Sequence, residues 1–299
     1  MSTSTEYPPA AISEKVHLKD VTEALAAIAG GDGTVPYVPQ DSTGQRSAET
    51  VLVEAANIQK FIEKGFKEPG MLSRHRVVNE KIYPWNTIGR VFVGQGPITN
   101  VLWTGSGVLV GKNLLLTAGH VAPWGNPNAW MRFIPAFNSG AAPFGSSFVE
   151  KYYGYHQDGE VNGLDYVICK LSTPLGASIG SMGSKSFGSD SDYYNGVWTS
   201  VGYPVEPANP GGQSMIVEDN VKIIDVDDEG SEGKELETHL YSVGGWSGGP
   251  LWAFFGPNEP YVIGVMSGDE TDFLQPRHTV SAGGLAMVKL VKYGIANWS

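Results

Sequence analysis

The chain has 299 residues, 41% of them apolar, with 39 Gly, 19 Pro and 11% aromatic residues; this composition suits one large or two medium globular units built from short strands and tight turns. A formal charge of −11, from 31 acidic and 20 basic residues without a Lys/Arg cluster, excludes nucleic acid and anionic membrane surfaces as expected partners. The single cysteine, Cys169, excludes an internal disulfide and a cysteine-built zinc site, so packing has to stabilise the fold.

Residues Met1 to Pro9 are polar and turn-prone, without the basic start and apolar run of a secretory signal, and no later stretch has the length of a membrane span. Apolar positions Val21, Leu25 and Ile28, then Val51, Ala55, Ile58, Ile62 and Phe66, recur at helical spacing. They predict a small helical segment over residues 1–76, with a loop at Gly30-Gly31-Asp32-Gly33 and a boundary at Glu68-Pro69-Gly70. The segment ends in Ser73-Arg74-His75-Arg76, which reads as an exposed cleavage site. It is expected to be either a removable pro-segment or a permanent extension.

From Ile82 the pattern changes to short β-type runs separated by Gly, Asn and Pro: Arg90 to Val93, Ser106 to Val110, Asn113 to Leu116 and Asp165 to Leu171. The same pattern continues at Val197 to Tyr203, Val221 to Val226, Pro250 to Phe255 and Tyr261 to Met266, before helix-like spacing over Leu285 to Trp298. Two β units are predicted, over residues 77–180 and 181–299.

Acyl transfer needs a nucleophile, a base to remove its proton, and backbone amides aimed at the developing oxyanion. Gly244-Gly245-Trp246-Ser247-Gly248-Gly249-Pro250 lets the chain turn sharply around a serine, with the N–H groups of Gly245 and Ser247 as the candidate hole. The apolar strand Leu114-Leu115-Leu116 runs through Thr117-Ala118-Gly119 into His120, a rigidly held candidate base. Asp165 opens another apolar strand, Tyr166-Val167-Ile168, where a carboxylate can fix the imidazole tautomer; Asp158 is its nearest rival in sequence. The remaining histidines, His17, His75, His156, His239 and His278, lack metal-ligand spacing, and no metal or cofactor is expected. The acidic run Asp225, Asp227, Asp228, Glu229 lacks the glycine and terminal glutamate of a calcium loop.

In this order, Thr117-Ala118-Gly119-His120, Asp165-Tyr166-Val167 and Gly245 to Pro250 resemble the signature motifs of chymotrypsin-like serine peptidases. Pro143-Phe144-Gly145, Gly202-Tyr203-Pro204 and the lack of disulfides are more similar to the V8-like glutamyl endopeptidase branch. The resemblance spans residues 77–299. It implies an all-β, chymotrypsin-like double six-stranded β-barrel with a C-terminal helix. His120 and Asp165 fall in the first barrel and Ser247 in the second. It further implies a monomeric, extracellular serine endopeptidase acting on protein or peptide substrates, made as a zymogen.

Two positions depart from the family pattern. Trypsin-type enzymes carry an aspartate just before the nucleophile to receive a new N-terminal ammonium, and this chain has Trp246. Glutamyl endopeptidases carry a histidine in the strand after the serine, where this chain reads Gly264-Val265-Met266-Ser267-Gly268. Tyr241, Ser242, Met266, Ser267 and Gly268 are the expected substrate-pocket residues. Ser242 with His239, His278 or a new N-terminal amine would suit an acidic P1 side chain; Tyr241, Met266 and Ser267 would suit an apolar one. Two other readings fit parts of the sequence: a catalytically silent barrel used for binding, and an α/β-hydrolase using Ser247 with His278 and Asp269 or Asp272.

Overall fold

The structure, a computed structural model, describes residues 8–15, 32–39, 74–155, 160–240, 242–270 and 278–298. The N-terminal stretch contributes strands β1 (Ile12–Lys15), β2 (Gly33–Thr34) and β3 (Arg74–Arg76). The first unit then comprises β4 (Ile88–Gln95), β5 (Val101–Gly111), β6 (Leu114–Thr117), β7 (Ala129–Pro135), β8 (Ser147–Gly154) and β9 (Val167–Leu171). These six strands pair antiparallel in the ring β4-β5-β6-β9-β8-β7 and back to β4, which closes the barrel.

Strand side chains alternate between faces, and here both faces are covered. Leu109, Leu115, Val167 and Cys169 fill the barrel with Val91, Met131 and Phe133. Their neighbours Val108, Leu114, Leu116 and Ile168 point outward into a second core shared with Val201, Val217, Trp252 and Val265 of the following unit. A strand buried on both sides reads as an unbroken apolar run, which is why Leu114-Leu115-Leu116 shows no alternation. Cys169 is fully buried, and burial pushes its thiol far above the ordinary range.

The second unit follows the short helix α1 (Leu175–Ile179) and contains β10 (Gly183–Lys185), helix α2 (Asp190–Asn195), β11 (Trp198–Gly202), β12 (Ile216–Val221), β13 (Ile223–Glu229), β14 (Gly233–Thr238), β15 (Pro250–Phe254), β16 (Pro260–Glu270) and β17 (His278–Gly284). The sequence predicts six strands here, whereas the sheet has ten, in the order β13-β14-β17-β16-β15-β11-β12-β3 with β10 and β2 attached at β16. Only Lys222 separates β12 from β13, so β13 and β12, far apart along the sheet, meet through the covalent chain. The extra strands are short additions to this frame.

Two of them, β2 and β3, come from the segment expected to be helical, which also adds β1 to the first barrel. The helical patterns at residues 21–28 and 51–66 lie outside the described residues; the parts described contribute three short strands. β1 runs parallel to β8 on the first barrel, β2 pairs with β10, and β3 pairs antiparallel with β12. Arg74-His75-Arg76, expected to be an exposed cleavage site, is thus a hydrogen-bonded strand. The physical reason is that a sheet edge presents unpaired N–H and C=O groups that any extended segment can satisfy.

The C-terminal helix α3 (Leu285–Trp298) buries Met287, Leu290, Val291, Gly294 and Trp298 at helical spacing against the shared core. A Cβ at Gly294 would stand 3.1 Å from Ile168 and 3.2 Å from Leu114, so the helix lies very close to the first barrel. Leu290→Ala, at a position 0% exposed, is expected to lower unfolding free energy by about 2–5 kcal/mol in urea denaturation. A change below about 0.5 kcal/mol would show that the helix is not part of the core.

Candidate active site

Every residue of β6 is buried, so the turn that follows it, Gly119–Val121, starts from a fixed point. A Cβ on Gly119 would stand 2.8 Å from Asp165 Oδ1. The small residue lets the carboxylate approach. The backbone N–H of His120 donates to Asp165 Oδ1 at 2.8 Å, and His120 Nδ1 lies 2.6 Å from Asp165 Oδ2. An ionised carboxylate can only accept, so Nδ1 carries a proton, and in the neutral ring Nε2 then holds the lone pair. The Ser267 hydroxyl donates to the same Oδ2 at 2.6 Å. Asp165 is 0% exposed, whereas the His120 side chain is 32% exposed, so the ring is anchored inside and open at its other end.

The Ser247 loop is packed against that turn. Gly248 has φ +81°, and a Cβ there would come 2.1 Å from Thr117 Oγ1 and 2.7 Å from Ala118 N. Gly245 has φ +95° and would clash with the Tyr203 carbonyl at 2.5 Å. Both positions therefore demand glycine, on backbone angle and on space. The N–H of Gly248 donates to the Met266 carbonyl, and the N–H of Met266 to the Gly249 carbonyl, each at 2.8 Å. The loop is thereby tied to β16.

Ser106 on β5, which sequence reasoning missed, joins the parts. Its N–H donates to the Ser247 carbonyl at 2.8 Å, its hydroxyl donates to the Gly245 carbonyl at 2.7 Å, and it accepts the Tyr203 N–H at 2.9 Å. The Thr117 hydroxyl donates to the Ser106 carbonyl at 2.7 Å. The Gly244 carbonyl accepts from Val205 N–H at 2.8 Å, and because a trans peptide is planar the Gly245 N–H points the opposite way. Among the described residues no carbonyl takes the N–H of Gly245 or of Ser247.

The expected pocket residues fare differently. Tyr241 lies outside the described residues, as do the rival Asp158 and the histidines His17 and His156. Ser242 is buried and Gly268 partly exposed. Ser267 is committed to Asp165. Met266, expected to line the pocket, is 1% exposed and belongs to the second unit's core with Trp198, Leu236 and Leu251. His278, considered as a source of positive charge, has Nδ1 2.7 Å from Glu237 Oε2, and its ring meets His239 at 5.8 Å. The α/β-hydrolase reading is overturned: the chain builds a closed antiparallel barrel and a second, mostly antiparallel sheet in place of a parallel sheet flanked by helices, His278 is bound to Glu237, and Asp269 accepts from Thr279 at 2.8 Å.

Among the described residues, Asp227, Glu235 and Glu237 form a group whose oxygens lie within 4.8 Å of one another. Burial, then the neighbouring Glu270, pushes Glu235 up to about 7, while Glu237 is taken by His278.

No family model matches the chain. It is 29% identical over 194 residues to exfoliative toxin A of Staphylococcus aureus, a match covering 58% of this chain and 65% of the toxin, less than two thirds of that relative's length. Among solved structures it is similar to a Glu endopeptidase in complex with MPD, with TM-score 0.58, 18% identity, and 75% of this chain and 97% of that one covered. It is also similar to the protease Anisep from Arthrobacter nicotinovorans, with TM-score 0.51, 20% identity, and 67% and 90% covered. A third is a thermostable serine protease AL20 from an extremophilic microorganism, with TM-score 0.52, 19% identity, and 71% and 98% covered. These likenesses support the resemblance to chymotrypsin-like, V8-like peptidases, and the fold is the mostly β, chymotrypsin-like one.

Gly248→Ala is expected to destabilise the protein by about 1–3 kcal/mol, from backbone strain and the clash with Thr117. Thermal unfolding checks this; an unchanged midpoint would mean that the loop does not adopt this conformation.

Proposed function

We propose that this chain, with its chymotrypsin-like fold, is a serine endopeptidase in which Ser247 is the nucleophile, His120 the general base and Asp165 the residue that orients the base. The observation that carries the reading is the 2.6 Å His120–Asp165 contact, on a turn packed directly against the Ser247 loop, whose Gly245 and Ser247 N–H groups meet no carbonyl among the described residues.

Ser247 Oγ attacks the scissile carbonyl carbon while His120 Nε2 takes the hydroxyl proton. The carbonyl π electrons move to oxygen, and the N–H groups of Gly245 and Ser247 receive the resulting oxyanion. Each such donor is worth roughly 10²–10³ in rate. Collapse breaks the C–N bond, and His120 returns the proton to the leaving amine. Water, activated by the same Nε2, then hydrolyses the acyl-enzyme and restores Ser247. Asp165 holds the Nδ1–H throughout and keeps the ring aimed.

An apolar P1 side chain is favoured over an acidic one. The strand after the serine reads Gly264-Val265-Met266-Ser267-Gly268, without the histidine that glutamyl endopeptidases carry there, His278 is offset by Glu237, and Asp269 adds a carboxylate next to Gly268. The partner is a protein or peptide substrate.

Incubation with a mixed peptide library and mass spectrometry is expected to find cleavage with apolar P1 residues. Ser247→Ala should lower it by on the order of 10⁴-fold or more, and Asp165→Asn should lower kcat by roughly 10⁴, through the wrong tautomer. Cleavage that persists undiminished in Ser247→Ala would sink the mechanism, and a wild-type chain that cleaves nothing would favour the silent binding barrel.

A further inference from the structure

Trp246 raises a physical problem. It immediately precedes the nucleophile, is 1% exposed, and its indole N–H meets no acceptor among the described residues. A tryptophan cannot form the ion pair with a new N-terminal ammonium that fixes this loop in trypsin-type enzymes. Another cation is already there. The guanidinium of Arg74 stands over the Trp246 ring, 4.4 Å from its centroid, the geometry of a cation–π contact.

Arg74 reaches this place because β3 is paired to β12, with Arg74 opposite Glu218, His75 opposite Val217 and Arg76 opposite Ile216. Arg74 Nη1 also lies 3.3 Å from Glu206 Oε2, and both side chains are mostly buried, at 16% and 14% exposure. Glu206 follows Val205, whose N–H fixes the Gly244 carbonyl. The guanidinium therefore touches the nucleophile loop directly through Trp246, and touches the segment that orients the Gly244–Gly245 peptide through Glu206. Glu218 is 4% exposed, and burial pushes its carboxyl up to about 7 against the pull of Arg74. The flanking ladder is held by Asp219, which accepts from Thr199 at 3.0 Å and lies 3.8 Å from His75.

Resting on the serine endopeptidase reading, we propose that Arg74 is a positioning residue, which holds the Trp246–Ser247 loop and the Gly245 N–H from the N-terminal arm. The arm through Arg76 is then a retained part of the working enzyme. Cleavage after Arg76 would detach β3 from the body of the chain, and it would free an amine at Val77, whose N–H is already bonded to the Met215 carbonyl at 3.0 Å.

Arg74→Ala and Arg74→Lys in the full-length chain test this. Arg74→Ala is expected to lower kcat, and the rate of Ser247 labelling by a fluorophosphonate, by about 10- to 100-fold with KM little changed, because misplacement of a reacting group costs that much. Arg74→Lys should recover part of the loss, since it keeps the charge without the planar stack. Hydrogen exchange of the peptide spanning residues 243–250 should be faster in Arg74→Ala than in wild type. That readout is independent of turnover: a wild-type chain inert to peptide and fluorophosphonate would defeat the peptidase reading, while the exchange still decides whether Arg74 holds the loop. Unchanged exchange in Arg74→Ala overturns the proposal, as does unchanged labelling beside a reactive wild type. N-terminal sequencing of fluorophosphonate-labelled wild-type protein should retain Arg74; a labelled species beginning at Val77 also overturns it.

Discussion

A carboxylate taken out of water needs hydrogen-bond donors on the sides that water would have occupied, and Asp165, at 0% exposure, draws them from both halves of the molecule. The backbone N–H and Nδ1 of His120 come from the first barrel, and the Ser267 hydroxyl comes from β16 of the second. Separating the two units would cost this buried group its Ser267 donor. The imidazole orientation is accordingly set by the packing of the whole molecule. Cores on both sides hold β6 and β9, which deliver His120 and Asp165 to the seam.

The Ser247 loop obeys the same logic with backbone groups. Ser106 takes up the Gly245 and Ser247 carbonyls, Val205 takes the Gly244 carbonyl, and β16 grips Gly248. Among the described residues no carbonyl takes the N–H groups of Gly245 and Ser247, the pair that the proposed acyl transfer would use. Rigidity here comes from the carbonyls of residues 244, 245 and 247 and the N–H of Gly248 being committed, and the cost is a loop that tolerates only glycine at 245 and 248. Trp246 adds an apolar anchor on the inner side, and Arg74 closes the outer side of that anchor.

Much of this was legible in the sequence because the chemistry-bearing residues sit in local patterns. An apolar strand ending in Thr117-Ala118-Gly119-His120, an aspartate opening a strand, and a serine among glycines each carry a backbone requirement that the structure displays as burial and positive φ. The terminal helix was equally readable, from its 3.6-residue period. The sequence places Ser267 among the expected pocket residues, but its bond to Asp165 depends on a contact 102 residues away in sequence. Ser106 is an ordinary hydroxyl in a strand, and only the fold gives it four partners. Arg74-His75-Arg76 has no apolar period to mark a strand; it becomes one because β12 offers an edge. The sequence sets Met266 with Tyr241 and Ser267 as a pocket wall, whereas its side chain is buried in the second unit's core with Trp198, Leu236 and Leu251.

The most direct measurement is a crystal structure of the full-length protein after reaction with a small fluorophosphonate. The expected adduct is on Ser247 Oγ, with one phosphoryl oxygen accepting from the N–H groups of Gly245 and Ser247, and with His120 still bound to Asp165. An adduct on another residue, or a Ser247 adduct whose oxygen meets neither N–H, would contradict the assignment of this loop as the catalytic one.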